Sequence, residues 1–270
     1  MSSKGRSAEG YEADPNGFFE TQSTVTRAGM TLWGIEPGMT ILEPGCGNGA
    51  IAKVLRRAYG MEIYIVGIEI DKKRAKQAER AKVMISAEVA TSLKNGKAGP
   101  CVAFDEVIHG SYFDVTRESL AERGWKKIDK IITNPSFAIW LKVAEHSFTL
   151  SDYTSLLIPW NSCASMQRAD WWAQHPARAR VLSRRPSFAV SVKCVRTSAD
   201  YAEAKDVTRC KYQVLIGLSV KVPEICPTCG DGIKTTRSDS NEYQWATWSP
   251  EYTANTWDPL KTPPPHPDDT

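Results

Sequence analysis

The chain has 270 residues, of which 41% are hydrophobic and 24% are charged, and its formal net charge is +3. This length allows one substantial hydrophobic core, and the absence of any run of about 18 apolar residues excludes a membrane-spanning helix. The small net charge does not by itself indicate a nucleic-acid partner. The start of the chain lacks the apolar segment of a signal peptide, so we expect an intracellular, cytoplasmic protein with no membrane partner.

Short strand-like runs alternate with helical stretches through the first 160 residues. The apolar pattern predicts strands over 40–42, 63–70, 102–109, 128–133 and 155–159, and helices over 51–59, 71–93 and 139–148, the second capped by Asp71. This β-α-β-α order predicts an α/β fold of Rossmann-like type, with a central, mostly parallel sheet and helices on both faces.

The pattern changes after about Ser183. Residues 190–195 and 212–222 read as strands without an intervening helix, which predicts a C-terminal antiparallel hairpin carrying an insertion. The polar, proline-rich residues 257–270 are expected to be disordered.

The stretch ILEPGCGNGAIAKVL runs from a strand through three glycines into an amphipathic helix. Gly45, Gly47 and Gly49 allow a sharp turn and close approach to a ligand, as in a cofactor cradle; a plain strand-to-helix connection is the alternative. Glu69 follows about 20 residues later, where a carboxylate would bind a ribose diol. Glu43 would repel a pyrophosphate, so a positively charged cofactor fits better than a dinucleotide.

These motifs resemble those of the class I S-adenosylmethionine-dependent methyltransferases, in which E-x-G-x-G-x-G surrounds the amino-acid and sulfonium end of the cofactor. The resemblance implies that Glu43 and the three glycines bind S-adenosylmethionine. It also implies that Glu69 binds the ribose and that Ile70 packs on the adenine ring. In FFETQSTVTRAG it makes Thr21 a contact of the methionine end, with an ordinary helix entry as the alternative.

The predicted strand over 128–133 ends in Asn-Pro-Ser-Phe, which resembles the D/N/S-P-P-Y/F motif of the amino-methylating branch of this family. The exocyclic amine of adenine is a poor nucleophile because its lone pair is delocalised into the ring. The resemblance implies that the Asn134 side-chain oxygen and the Pro135 carbonyl accept the two amino hydrogens, and that Asn134 also contacts the cofactor. Phe137 would stack on the flipped base. The alternative is a turn, with Phe137 in the core.

Two positions depart from the family pattern. Ser136 replaces the usual second proline, which would leave the loop less rigid. In HGSYFD, relatives commonly place an Asp where this chain has Ser111, and we expect Ser111 and Tyr112 to line the adenine pocket.

The stretches RRPSF and NEYQWATW resemble the tail of phage and prophage N6-adenine DNA methyltransferases of gamma-type motif order. The resemblance implies a site-specific DNA methyltransferase of a bacterial or phage-infected cell, acting on a flipped adenine in double-stranded DNA. Methylation of a protein glutamine amide, or of an RNA guanine or adenine amine, is one alternative. A non-catalytic, zinc-containing nucleic-acid-binding module is another.

Residues 168–221 contain 11 Lys or Arg against 4 Asp or Glu. Phosphate binding needs such a local excess of positive charge, and Arg184 and Arg185 are the candidate phosphate ligands. A solvated basic face is the alternative, and no obligate protein partner is evident.

The seven cysteines are an odd number, which argues against a disulfide framework and for reduced thiols or a metal site. Cys226 and Cys229 have the C-x-x-C spacing of half a zinc site. Cys194 and Cys210 would complete a four-thiolate site if the hairpin brings them close. The alternative is a chance C-x-x-C in a turn.

These interpretations divide the chain into five segments. We expect a flexible tail over 1–16, an S-adenosylmethionine-binding catalytic domain over 17–187, an inserted target-recognition hairpin with a zinc knuckle over 188–244, the end of the catalytic domain over 245–256 and a disordered tail over 257–270.

Overall fold

The computed structural model describes residues 20–94, 96–163, 166–183, 186, 189–205, 207–217, 223–237 and 242–264. The chain forms two compact units. The larger comprises Thr21–Pro186 and Asn241–Thr270, and the smaller comprises Met1–Glu20 and Ser187–Ser240. The predicted tail over 1–16 and the phosphate candidates Arg184 and Arg185 lie outside the described residues.

Strands and helices follow one another along the described part of the chain. The strands are β1 (Thr40–Pro44), β2 (Tyr64–Glu69), β3 (Lys82–Ile85), β4 (Gly99–Val102), β5 (Glu106–His109), β6 (Lys130–Thr133), β7 (Thr154–Pro159), β8 (Arg178–Leu182), β9 (Ala189–Cys194), β10 (Gln213–Gly217), β11 (Ile233–Arg237), β12 (Tyr243–Trp248) and β13 (Thr256–Leu260). The helices are α1 (Ser23–Trp33), α2 (Ala50–Tyr59), α3 (Lys72–Glu79), α4 (Ala87–Ser92), α5 (Arg117–Glu122), α6 (Trp140–Leu150), α7 (Met166–Gln174) and α8 (Ala199–Ala204). None of the helices described here has the length and hydrophobicity that crossing a bilayer requires.

Eight strands of the larger unit form one sheet in the order β13-β8-β12-β7-β6-β1-β2-β5. Strand β12 runs antiparallel to β7 and β8, and the other neighbours are parallel. The central strands β1 and β7 are buried along their whole length, as expected for strands covered by helices on both faces. This confirms the predicted Rossmann-like methyltransferase fold.

Helix α1 is fixed to the sheet by two buried indoles. The indole N–H of Trp33 donates to the Ser155 hydroxyl at 3.0 Å, and that of Trp245 donates to the Val25 carbonyl at 3.0 Å. The two rings meet edge to face, with centroids 4.9 Å apart. These contacts fix the segment that begins with Thr21, immediately before the helix.

Arg56, on α2, is a fully buried cation. Its guanidinium donates to the carbonyls of Gly60 and Ile63 at 2.9 Å and of Ala103 at 3.3 Å, and it pairs with the Asp105 carboxylate. The same carboxylate accepts the Ile65 backbone N–H at 2.7 Å. One side chain therefore joins α2 to the segments at both ends of the α3–β4 region.

The single helix predicted over 71–93 is wrong. Asp71 does cap α3, accepting the Arg74 N–H at 2.8 Å, but α3 ends at Glu79, and β3 and α4 follow. In β3 exposed and buried residues alternate, and the strand pairs antiparallel with β4. The period of two in Lys82–Ile85 therefore outweighs the helical spacing of the longer window. The strand predicted over 102–109 is likewise split, because β4 belongs to this small sheet and β5 to the main one.

The C-terminal segment also differs from the prediction. Thr256–Leu260 forms β13 and pairs in parallel with β8, so disorder from residue 257 is wrong for 257–260. The strand occupies the sheet edge, where a proline such as Pro259 is tolerated. Residues 265–270 lie outside the described part. The predicted insert over 188–244 ends too late, because Tyr243 and Gln244 belong to β12.

The smaller unit contains a three-stranded antiparallel sheet of order β10-β9-β11. The pair β9–β10 corresponds to the predicted hairpin. The helix α8 between these strands and the third strand β11 were not predicted.

Candidate cofactor and acceptor site

The candidate residues follow neighbouring parallel strands at their carboxyl ends. Gly45 follows β1, Glu69 ends β2 and Asn134 follows β6, while Ser111 comes two residues after β5. The sheet order β6-β1-β2-β5 places these ends side by side. The chain adds strands in opposite directions on the two sides of β1, and ligands of open α/β sheets bind at such a reversal.

The glycine loop has the conformation that its residues suggest. Gly45, Gly47 and Gly49 have φ angles of 60°, 57° and 83°, in the left-handed region that side chains disfavour. A Cβ on Gly45 would meet no atom within 4 Å, whereas one on Gly49 would lie 2.7 Å from the Phe104 ring. Gly45 thus borders open space that suits a ligand, and Gly49 packs against the core.

Alanine at these two glycines is expected to separate binding from folding. Gly45→Ala should lower stability by about 1–2 kcal/mol through its φ angle alone and abolish cofactor binding, because the methyl group enters the open space. Gly49→Ala should lower the free energy of unfolding by about 1–3 kcal/mol more, because its methyl group would collide with Phe104. Urea unfolding and calorimetry with S-adenosylhomocysteine measure both effects. Unchanged affinity in Gly45→Ala would remove this loop from the cofactor site.

Glu69 is a buried carboxylate held from three sides. One oxygen accepts the Gly47 N–H at 2.8 Å, which ties the end of β2 to the glycine loop. The other accepts the Asp71 N–H at 2.8 Å and the Arg74 guanidinium at 3.3 Å. A carboxylate accepts about four hydrogen bonds. The oxygen that faces Gly47 therefore retains capacity for a ribose hydroxyl.

Glu43 lies beneath the glycine loop, at the amino end of α2. Its carboxylate accepts the Ala52 N–H at 3.1 Å, and the side chain is buried. Burial raises the pKa of Glu43 well above its ordinary value, although the Ala52 N–H and the charge of Lys53 act in the opposite direction. A cationic ligand nearby would favour the ionised form.

Replacing Glu43 with glutamine is expected to weaken S-adenosylmethionine binding about 10- to 100-fold, the value of a charge-assisted interaction of about 1.5–3 kcal/mol. The ligand-free variant should be more stable than the wild type at neutral pH. Because the pKa of Glu43 is raised in the folded state, its contribution to the free energy of unfolding is greatest below the ordinary pKa of 4.5. This contribution is lost as the pH rises toward the folded-state pKa.

Urea unfolding of both proteins between about pH 4 and pH 8 tests the stability difference, and calorimetry tests binding. The stability difference should grow with pH and then level off. A difference independent of pH would show that Glu43 does not carry the raised pKa.

The Asn134-Pro135 corner adjoins the glycine loop. Strands β1 and β6 are paired in parallel, and the Thr133 hydroxyl donates to the Pro44 carbonyl. Each of these two residues immediately precedes a predicted site residue, Asn134 and Gly45. Neighbouring strands lie about 4.8 Å apart, so the acceptor corner and the cofactor loop leave the sheet side by side.

Thr21 orients the Asn134 amide. The Asn134 Nδ2 donates to the Thr21 hydroxyl at 3.0 Å, which points the nitrogen end of the amide toward the start of α1 and its oxygen end away. Both Thr21 and Pro135 are buried. The structure thus brings Thr21 into contact with Asn134 of the acceptor corner. The sequence analysis had instead assigned Thr21 to the methionine end of the cofactor.

Phe137 is half-buried and packs on an aromatic partner. Its ring centroid lies 5.4 Å from that of Tyr243, the first residue of β12, at an interplanar angle of 39°. Tyr243 is itself buried. Phe137 is therefore neither a fully buried core residue nor a fully exposed ring. The two roles considered from the sequence were stacking on a base and packing in the core.

The adenine-pocket residues are only partly as predicted. Ile70 is 52% exposed at the end of β2, so it has apolar surface for a ring to cover. The Ser111 hydroxyl caps the short helix Tyr112–Asp114 by accepting the Phe113 N–H at 3.2 Å. Tyr112 is a core residue whose hydroxyl lies 2.9 Å from that of Ser147. Phe113, 43% exposed, is the more accessible ring of this loop.

The four predicted metal ligands meet in the smaller unit. The sulfurs of Cys194, Cys210, Cys226 and Cys229 all lie within 4.8 Å of one another, and the first three side chains are buried. All four are free thiols.

Acidic side chains partly neutralise the positive charge of residues 168–221. Arg178 and Arg180 lie 3.9 and 3.1 Å from the Asp258 carboxylate, and Arg196 lies 3.3 Å from that of Asp231. Both acids are outside the window that gave the local excess of charge. Lys205, Arg209 and Lys211 are exposed.

Three residues of the site were missed. Arg74 pairs with Glu69, Phe104 supports Gly49, and Tyr243 contacts Phe137. The sequence could have indicated Arg74, because it lies on the first turn of α3, shortly after Glu69. The other two come from distant segments and have no local motif.

Comparison with known proteins gives a partial family match. Residues 14–111, less than half of the chain, match the family described as protein-L-isoaspartate(D-aspartate) O-methyltransferase. No curated protein sequence matches the chain. The matched segment contains the glycine loop and Glu69 and ends before Asn134.

Several solved structures are similar at low identity. A predicted O-methyltransferase from Agrobacterium tumefaciens is 12% identical with a TM-score of 0.46, and the alignment covers 90% of each chain. A type I restriction-modification methyltransferase subunit from Streptococcus thermophilus is 10% identical with a TM-score of 0.48, covering 90% of this chain and 47% of that one. An RNA methyltransferase from Salinibacter ruber in complex with S-adenosyl-L-homocysteine is 20% identical with a TM-score of 0.35, covering 51% and 75%.

At such identities, and with TM-scores below 0.5, these likenesses carry no information about a substrate. The partial family match and the observed fold support an S-adenosylmethionine-dependent methyltransferase. The segment after residue 111, which contains the acceptor corner, lies outside the family match.

Proposed function

We propose that this chain transfers a methyl group from S-adenosylmethionine to the exocyclic amine of a flipped adenine in double-stranded DNA. The observation that supports the proposal best is the pairing of β1 with β6, reinforced by the Thr133–Pro44 hydrogen bond. It makes the glycine loop and the Asn134-Pro135 corner neighbours, as transfer of one carbon between two bound molecules requires.

The residues of the proposed site have separate roles. When bound, S-adenosylmethionine supplies an electrophilic methyl group. The glycine loop admits the cofactor, Glu69 accepts a ribose hydroxyl, and Glu43 places negative charge beneath a cationic ligand. The Asn134 side-chain oxygen and the Pro135 carbonyl accept the two amino hydrogens of the base and hold the amine in position. No strong general base is required, because positioning is the main catalytic effect.

An amine acceptor is favoured over the carboxylate acceptor named in the matched family. The match ends at residue 111, whereas the acceptor corner lies over 134–137. Two oxygen acceptors suit an NH2 group, which donates two hydrogen bonds, and they would repel a carboxylate. The exposed Lys205, Arg209 and Lys211 favour a nucleic-acid substrate over a protein one.

Tritiated S-adenosylmethionine, incubated with the protein and with DNA, RNA or protein pools, tests the proposal. We expect label in DNA, recovered as N6-methyladenine by nucleoside mass spectrometry. Label confined to RNA or to protein would replace the DNA assignment by one of the other amine acceptors. Cofactor binding without transfer to any pool would favour a non-catalytic binding module.

A further inference from the structure

We propose that Cys194, Cys210, Cys226 and Cys229 bind one structural zinc ion that holds the smaller unit together. The four sulfurs all lie within 4.8 Å of one another, although the residues span 36 positions of sequence. The inference concerns the insert alone and does not depend on the proposed methyl transfer.

The sulfur separations suit a single tetrahedral ion. Zinc–sulfur bonds of about 2.3 Å in a tetrahedron place the sulfurs about 3.8 Å apart. The Cys194–Cys229 pair is separated by 3.4 Å and the Cys210–Cys226 pair by 3.8 Å. An iron–sulfur cluster contains several metal atoms and bridging sulfides, so it would hold its cysteines farther apart.

One of the thiols has a hydrogen bond of the kind that metal-bound thiolates accept. The Cys210 sulfur accepts the Tyr212 backbone N–H at 3.4 Å. Hydrogen bonds of this kind orient ligands and stabilise the charged form.

The ligands come from every connection of the small sheet. Cys194 ends β9, Cys210 lies between α8 and β10, and Cys226 and Cys229 form the turn before β11. In that turn the Gly230 N–H donates to the Cys226 carbonyl at 2.8 Å, and Gly230 has a φ of 77°. One ion would therefore join three segments that the sheet alone leaves as separate loops.

The side chains that the structure describes in the smaller unit form only a small apolar core. Among its described side chains, the buried apolar ones are Val192 and three of the cysteines. The cluster around the sulfurs adds only the partly buried Tyr212, Ile233 and Cys229. Units of this size need a metal, disulfides or a partner when their apolar core is small. Four protein ligands with no open position indicate a structural site.

Metal analysis of the purified full-length chain tests the proposal. Elemental mass spectrometry should give one zinc per chain. Titration with an organomercurial should release the zinc as the four cluster thiols are modified. Cys226→Ser should lose the zinc. The matched control is Cys101→Ser on β4, outside the cluster, which should retain it.

A second measurement serves if the cluster variant does not fold. Wild-type protein treated with a strong chelator should become sensitive to proteolysis within 187–240 and should recover on addition of zinc. Wild-type protein without metal, or with iron and sulfide in place of zinc, would overturn the proposal. Full zinc content in Cys226→Ser would also overturn it. None of these readouts uses a methyl acceptor, so they stand whatever the enzyme's substrate.

Discussion

Replacing Asn134 with alanine is expected to lower kcat for methyl transfer by about 100- to 1000-fold, the usual effect of removing one preorganised hydrogen-bonding group from a transition state. Alanine removes the side-chain oxygen that holds the amine but leaves the Pro135 carbonyl and the glycine loop intact. Cofactor affinity should fall far less than kcat, because the proposed cofactor contacts come mainly from the ends of β1 and β2. Single-turnover kinetics and calorimetry measure the two quantities separately.

Two further variants define the role of Asn134. Asn134→Asp keeps an acceptor oxygen, so its kcat should lie between those of the wild type and the alanine variant. Asn161→Ala makes the same truncation at an exposed asparagine and should leave kcat unchanged. Equal activity of wild type and Asn134→Ala on the labelled substrate would remove the acceptor corner from the mechanism.

Replacing Arg56 with methionine is expected to lower the free energy of unfolding by about 3–5 kcal/mol, the usual cost of breaking a buried ion pair. The Asp105 carboxylate would lose its counter-charge, and the carbonyls of Gly60, Ile63 and Ala103 would lose their donor. Asp105 is 16% exposed, so partial hydration should place the loss at the lower end of that range. Urea unfolding measures it.

Arg57→Met is the matched control, because Arg57 is the next residue of α2 and is only half-buried. Its effect should stay within about 1 kcal/mol. A similar loss for both variants would mean that helix propensity or packing, and not the Arg56 network, sets the stability of this region.

The parts of the fold that could be predicted from the sequence have local causes. Short apolar runs within the fully buried β1 and β7 indicate strands, and the Asp71 cap marks the start of α3. The single helix predicted over 71–93 was wrong because α3, β3 and α4 are short, and the helical spacing of the long window hid the period of two in β3. Strand β13 was not predicted because its stability comes from pairing with β8, and the local sequence TWDPL contains no strand pattern that indicates this pairing.

The candidate site divides in the same way. Glu43, Glu69 and Asn134 lie at or next to the carboxyl ends of neighbouring strands, so their placement at one edge follows from a parallel sheet. The Thr21–Asn134 hydrogen bond joins residues 113 positions apart, and the Phe137–Tyr243 contact depends on β12 entering the sheet beside β7. The burial of Tyr112 was not predicted because a motif position gives no information about burial.

The insert occupies a loop between two adjacent antiparallel strands. In the β8–β12 register Val181 faces Gln244, so the chain leaves the larger unit and returns to it at neighbouring positions. Antiparallel neighbours can be joined by a turn of two residues, so the catalytic sheet needs nothing from the intervening segment to close. The segment can therefore be shortened or replaced without breaking the pairing of β8 with β12.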